Sequence, residues 1–332
     1  MLQLFYSNNK ELIKFISKTM KFILLFLLFL LLYFNISNYI IRKNIDQPKL
    51  VWDYGSLSRL YSGKINAEIL FFGSSRTYLG INPNIIEEIS GQKTWNMGLD
   101  GSNIHQHFFT INQYLKFNRK PEIIFMEADI MLLDSNKLRF KKELFTPFID
   151  KPLIKKGYFN RLPTVAKEYL KKIQNNSNRL FGSINNFINP NGVIDSMAYS
   201  DIYYIKGSHL KKFSQLDDGY IFDKSDFIDE YSINSNYMQV YENIVKICLE
   251  KQINLIFLAY PRFNGQINDE NKLYIKKYFN TYKYDYPSID YWDYLDLKEF
   301  NNSLLWWNVS HLNYEGANKF STIIGKRLKE SQ

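Results

Sequence analysis

Five short apolar runs, separated by segments of helical period, constrain this chain more than any other feature. "AEILFFG", "KTWNMG", "PEIIFMEAD", "INLIFLAYP" and "SIDYWDYLD" have the length of strands. Among and after them stand "NPNIIEEIS", "NIHQHFFTINQYLKFN", "NYMQVYENIVKICLEKQ", "NKLYIKKYFNTY" and "EGANKFSTIIGKRLKE", which read as helices. Strands alternating with helices of this length predict β-α units and a mostly parallel sheet with helices on both faces. Short, continuously apolar strands suit a sheet buried on both sides. The expected class is α/β, in one domain from residue 65 to residue 332.

The rhythm breaks once. About a hundred residues, from about 133 to 235, separate the third run from the next helix, too many for a loop, so an insertion with structure of its own is expected there. Its first half is basic: between Lys137 and Arg179 stand 12 Lys and Arg against three acidic residues, a local charge of +9. The second half, through "DDGYIFDKSDFIDE", is acidic. The insertion suits an anionic polymer or a lipid surface, although a solvated lysine-rich face reads the same way.

The N-terminus carries a different signal. From Phe22 to Ile41 run 20 residues without a charge, enough to cross a hydrocarbon core of roughly 30 Å. Lys10, Lys14, Lys18 and Lys21 precede the run; Arg42, Lys43 and Lys49 follow it. The expectation is a retained single-pass anchor at 22–41 in the cytoplasmic membrane. Residues 1–21 would be cytoplasmic, 42–64 a polar connector, and the main domain extracytoplasmic. No small-x-small cleavage site follows the run, which argues against a removed signal peptide.

In an open α/β sheet, ligands bind outside the carboxyl ends of the strands. "ILFFGSSRTYLGINP" ends its apolar run in Gly73-Ser74-Ser75, which puts a serine at that edge. A serine needs a base within hydrogen-bond reach. The chain has four histidines. His311, in "WWNVSHLNYEGANKF", lies in the loop after the last predicted strand, which returns to the same edge. His105 and His107 stand two apart and face different directions on a helix, so they are poor joint metal ligands and are read as structural. His209, beside Lys211 and Lys212, is read as a surface residue. The lone cysteine, Cys248, excludes a disulfide framework and a cysteine zinc cluster, and its place in "NIVKICLEKQ" makes it a core position. No cofactor or metal site is expected.

Taken in order, these blocks resemble the SGNH/GDSL hydrolase superfamily, particularly its membrane-anchored bacterial branch. The likeness runs from about Lys64 to Leu328 and is interrupted by the insertion. Gly73-Ser74-Ser75 stands where the family has Gly-Asp-Ser, which makes Ser75 the nucleophile. "WNMGLDGSN" offers Gly98, whose N–H would join that of Ser75 in an oxyanion hole. Asn308-Val309-Ser310-His311 occupies the Asp-x-x-His block, with His311 the base and Asn308 in place of the orienting aspartate. Asp293 or Asp296 could take that carboxylate's part. After the third strand the family usually carries an asparagine; here "MEAD" offers only Glu127 and Asp129.

The resemblance implies a flavodoxin-like three-layer α/β/α sheet. It also implies a membrane-anchored serine esterase or O-acyltransferase working through an acyl-Ser75 intermediate. Its partners would be a cell-envelope glycan or an acylated small substrate, with a membrane-bound acyltransferase as acyl donor. The alternative is a catalytically inactive protein of the same fold acting in envelope polysaccharide binding or assembly. Nucleic acid is not an expected partner, because the charge sits in one insertion and the anchor places the domain outside the cytoplasm.

Overall fold

The computed structural model describes residues 14–36 apart from 30 and 34, 54–145 apart from 135, 142 and 143, then 202–217, and 231–331 apart from 264 and 265. The chain divides into two units, residues 1–50 with 149–192, and residues 51–148 with 193–332. In the first, helix α1 (Lys14–Tyr33) is long and apolar enough to cross a membrane. It begins before the uncharged run because Lys14, Lys18 and Lys21 are themselves good helix formers. The end of the expected anchor, most of the basic stretch and the acidic half of the insertion lie outside the described residues.

The second unit is α/β. Its sheet contains β1 (Ile69–Phe72), β2 (Thr94–Asn96), β3 (Ile123–Glu127), β6 (Asn254–Ala259) and β7 (Ile289–Asp293), in the order β2-β1-β3-β6-β7 with every pairing parallel. Between β3 and β6 comes a hairpin, β4 (Ile202–Ile205) and β5 (Ser208–Lys211); after β7 comes another, β8 (Trp306–Asn308) and β9 (His311–Leu312). The helices are α2 (Tyr54–Tyr61), α3 (Ser75–Gly80), α4 (Pro83–Ser90), α5 (Ile104–Phe117), α6 (Ser235–Lys251), α7 (Asp269–Asp285) and α8 (Tyr314–Glu330).

The alternation of side chains along the strands builds the layers. Ile69 and Phe71 of β1 join Phe125, Leu258 and Trp292 under Ile86 of α4 and Phe320, Ile324 and Leu328 of α8. Phe71 stacks on Phe125 with ring centroids 4.4 Å apart. On the opposite face Phe257 meets Tyr241 of α6 and Phe279 of α7. Each such side chain contributes about 1.5–3 kcal/mol relative to exposure. Asparagine opens five helices: Asn82, Asn103, Asn234, Asn268 and Asn313 each accept a backbone N–H of the first turn, about 1 kcal/mol apiece.

Three expectations need correction or refinement. The stretch 42–64 is not all connector: Tyr54–Tyr61 is helical and buries Leu57 and Leu60, because its apolar residues recur at helical spacing. The insertion leaves and returns at one place, where Asp134 bridges Ile233 and Asn234 N–H donates to Leu133 O. His209 is buried, not exposed. The β4–β5 hairpin folds onto α3, so the His209 ring lies 4.2 Å from that of Tyr78 and its Nδ1 meets the Tyr78 hydroxyl. Cys248 is a buried thiol on α6, and burial pushes it up to about 12.

Candidate active site

Strand order reverses between β1 and β3, since β2 lies beyond β1 on one side and β6 beyond β3 on the other. The crevice at such a switch point opens at the carboxyl ends of the strands. Ser75 stands there as the first residue of α3, three residues after the last apolar position of β1. The turn before it is tightly held. Glu127, at the end of β3, accepts the Ser74 N–H at 2.6 Å, the Ser74 hydroxyl at 2.8 Å and the Thr77 hydroxyl at 2.9 Å. A side chain on Gly73 would have its Cβ 2.1 Å from Thr77 Oγ1 and 2.3 Å from Glu127 Oε2. Glycine at 73 is what lets Glu127 close on the turn.

His311 arrives from the other side of the sheet. β8 and β9 pair Asn308 directly with His311, so a two-residue turn brings residues three apart face to face. Asn308 Oδ1 accepts the Ser310 N–H at 3.0 Å and lies 2.9 Å from His311 Nδ1. An atom that accepts from a backbone N–H is the amide oxygen, so Nδ1 of His311 carries the hydrogen and Nε2 carries the lone pair. His311 Nε2 lies 2.7 Å from Ser75 Oγ, and the serine hydroxyl therefore donates to it. Ser75, His311 and Asn308 form one line of hydrogen bonds.

The line carries no carboxylate. Asp293 pairs with Lys276 at 3.2 Å, and Asp296 with Lys272 at 2.7 Å and Lys276 at 3.1 Å, so neither takes the orienting role held by Asn308. Burial, then the charges of Arg76, Arg262 and Lys211, push the His311 imidazole down to about 3. It is neutral at ordinary pH and ready to accept a proton, but it holds one weakly.

Gly98 is occupied. Its N–H donates to Asn96 Oδ1 at 2.8 Å, so the expected oxyanion role does not fit this geometry. A Cβ there would lie 2.6 Å from Tyr78 N, which makes this glycine a point of close approach between the loop after β2 and α3. Asn96, which sequence reasoning passed over, ties three segments together: its Nδ2 also donates to Thr77 O at 2.7 Å and Ser208 Oγ at 2.9 Å.

Two arginines missed in the sequence join the acids of "MEAD" in a charged cluster. Arg76 follows Ser75 directly, and Arg262 lies just beyond β6; both donate to Asp129 Oδ2, Arg76 at 3.0 Å. Against the burial penalty, Arg262 and Arg76 hold the Asp129 carboxyl at about 2. Burial, with Asp129 beside it, raises the Glu127 carboxyl above its ordinary range. The available signal was position: "GSSR", "MEAD" and "AYPR" each follow a strand at its carboxyl end.

No family model matches this chain, and no curated protein matches its sequence. Among the described residues no group of three or more His, Cys, Asp or Glu side chains is placed to hold a metal ion. His105 is half-buried against the Tyr237 ring at 4.8 Å, and His107 is fully buried on α5.

Proposed function

We propose that this protein is a membrane-anchored serine esterase or O-acyltransferase of SGNH/GDSL type, with Ser75 as nucleophile and His311 as base. The observation that carries the reading is the hydrogen-bond line from Ser75 Oγ through His311 to Asn308, at 2.7 and 2.9 Å. Its setting supports the reading as well. The order β2-β1-β3-β6-β7 is the flavodoxin-like one, with the serine at its switch point.

In the first step Ser75 Oγ attacks an acyl carbonyl carbon while its proton passes to His311 Nε2. The tetrahedral intermediate collapses, the ester C–O bond breaks, and the leaving oxygen takes the proton from His311. Acyl-Ser75 is then attacked by water or by a sugar hydroxyl, with the same proton relay in reverse. The Ser75 N–H is available to the oxyanion; the Gly98 N–H is not.

Asparagine at 308 sets the speed. In serine proteases an Asp to Asn change costs about 10⁴ in rate, chiefly through the wrong histidine tautomer. Here Ser310 N–H keeps the amide oxygen on Nδ1, so the tautomer is correct. What is lost is the negative charge that would steady the imidazolium. A slow but functional enzyme is the consequence.

With α1 as anchor and the domain outside the cytoplasm, a cell-envelope glycan is the acceptor this reading favours, with a membrane-bound acyltransferase supplying the acyl group. The engaged Gly98 N–H favours a second reading, an inactive protein that binds or assembles envelope polysaccharide. Labelling of the full-length protein with a fluorophosphonate, with Ser75→Ala as control, separates the two. Labelling confined to Ser75 supports the enzyme; no labelling would defeat it.

A further inference from the structure

The edge that carries Ser75 and His311 also holds a charge cluster that acyl transfer leaves unexplained. Arg76, Asp129 and Arg262 follow β1, β3 and β6, three neighbouring strands of the sheet. Both guanidiniums converge on one oxygen, Asp129 Oδ2. The two arginines are only 7 % and 6 % exposed, and neither Nε has a partner among the described residues. A guanidinium presents five donors in a rigid fork, and buried donors normally find acceptors.

The charges do not balance either. Asp129 offers one negative charge to two positive ones. Glu127, the other acid that acts on Arg76, is occupied by Ser74 and Thr77 and is raised toward its neutral form. Lys211, from the β4–β5 hairpin, holds its ammonium 4.4 Å from the Trp307 ring centroid, and Trp307 in turn lies against His311 at 5.9 Å. Arg76, Arg262 and Lys211 all act on His311.

We propose that Arg76 and Arg262 form an anion-binding subsite beside the reacting atoms, which takes a carboxylate or phosphate group carried by the substrate. The subsite's place in the reaction rests on the Ser75–His311 reading above. Arginine forks suit such planar or tetrahedral oxyanions, whose oxygens would accept the unpartnered Nε–H groups. A free anion held there would stand in the way of a reagent approaching Ser75, and a neutral ester would make none of these contacts, so the subsite selects anionic substrates by binding.

The test uses the full chain in detergent and the fluorophosphonate labelling rate at Ser75. Inorganic phosphate and malonate are compared with sodium chloride at equal ionic strength. The expected result is labelling slowed fivefold or more by millimolar phosphate or malonate but not by chloride. The ratio with and without anion, taken within each variant, falls to about one in Arg262→Gln and is only partly kept in Arg262→Lys. Protection by phosphate alone identifies a phosphate group as ligand, and by malonate alone a carboxylate. Labelling that neither anion slows overturns the subsite and leaves the serine enzyme standing. Calorimetry covers the converse: phosphate or malonate binding that depends on Arg262, without any labelling, keeps the subsite and defeats the enzyme. Neither labelling nor binding overturns both.

Discussion

Two serine–histidine pairs lie among the described residues of this domain, and they are opposites. Ser75 and His311 stand 2.7 Å apart; Ser102 and His107 stand 3.0 Å apart, and burial pushes both imidazoles down to about 3. The difference is the direction of the hydrogen bond. Ser102 gives its only hydrogen to Leu99 O, so it must accept from His107 Nε2, while His107 Nδ1 faces no partner among the described residues. Ser75 instead donates to a ring nitrogen whose tautomer Asn308 has set. A serine next to a histidine is a nucleophile candidate only when a third group turns the ring the right way and the site can be reached. The pair at 102 and 107 is fully buried; Ser75 and His311 are half-buried at the sheet's carboxyl edge.

The contrast can be broken experimentally, beginning with its largest consequence. Ser75→Ala should abolish fluorophosphonate labelling, whereas Ser102→Ala should leave the rate within about twofold; strong loss in the second variant would erase the distinction between the pairs. His311→Ala should slow labelling by about 10²–10⁴, the usual worth of a general base, measured as a second-order rate constant on folded protein. Asn308→Asp should act the other way. It restores a negative charge beside Nδ1 without changing the tautomer, and a gain of about tenfold is expected, less than the full 10⁴ for that reason.

The pH profile sharpens the same point. His311 sits far below the ordinary histidine value of 6.5, so its basic form persists into acid and the labelling rate should hold until about pH 3. An inflection near 6.5 would contradict the half-buried, cation-flanked imidazole. Asn308→Asp should move the inflection upward, because a carboxylate favours the imidazolium. Stability follows the opposite sign. Between about pH 6.5 and 3 the unfolded chain takes up protons at residues 107 and 311 that the folded chain refuses, so stability falls as pH falls through that window. The smallest effect on labelling is that of Ser102→Ala, which acts on stability instead: Leu99 O and the buried His107 Nε2–H both lose their partner, about 1–3 kcal/mol, read as a fall in the denaturation midpoint.

Much of this was legible before any coordinates. The strands at 69–72, 123–127 and 254–259 lie within "AEILFFG", "PEIIFMEAD" and "INLIFLAYP", which read as strands because parallel strands buried on both faces are largely apolar; the edge strand at 289–293, with its two aspartates, lies within "SIDYWDYLD". Ser75 and His311 followed from one rule, that loops after parallel strands share an edge. Helix α2 was missed because it is only eight residues long, two turns whose few apolar positions stand in an otherwise polar stretch. The burial of His209 was missed for another reason: nothing local says that a hairpin in an insertion will fold back over α3.

The sequence by itself determined the α/β class and the apolar N-terminal helix, and it singled out the serine and histidine that the fold brings to one edge, because period and position relative to strand ends are local properties. Only the tertiary structure decided what surrounds them. It put the Ser75 hydroxyl on His311, 236 positions away, and the guanidiniums of Arg76 and Arg262 on a single oxygen of Asp129, 53 and 133 positions away. No spacing along the chain encodes these contacts; packing across the sheet does.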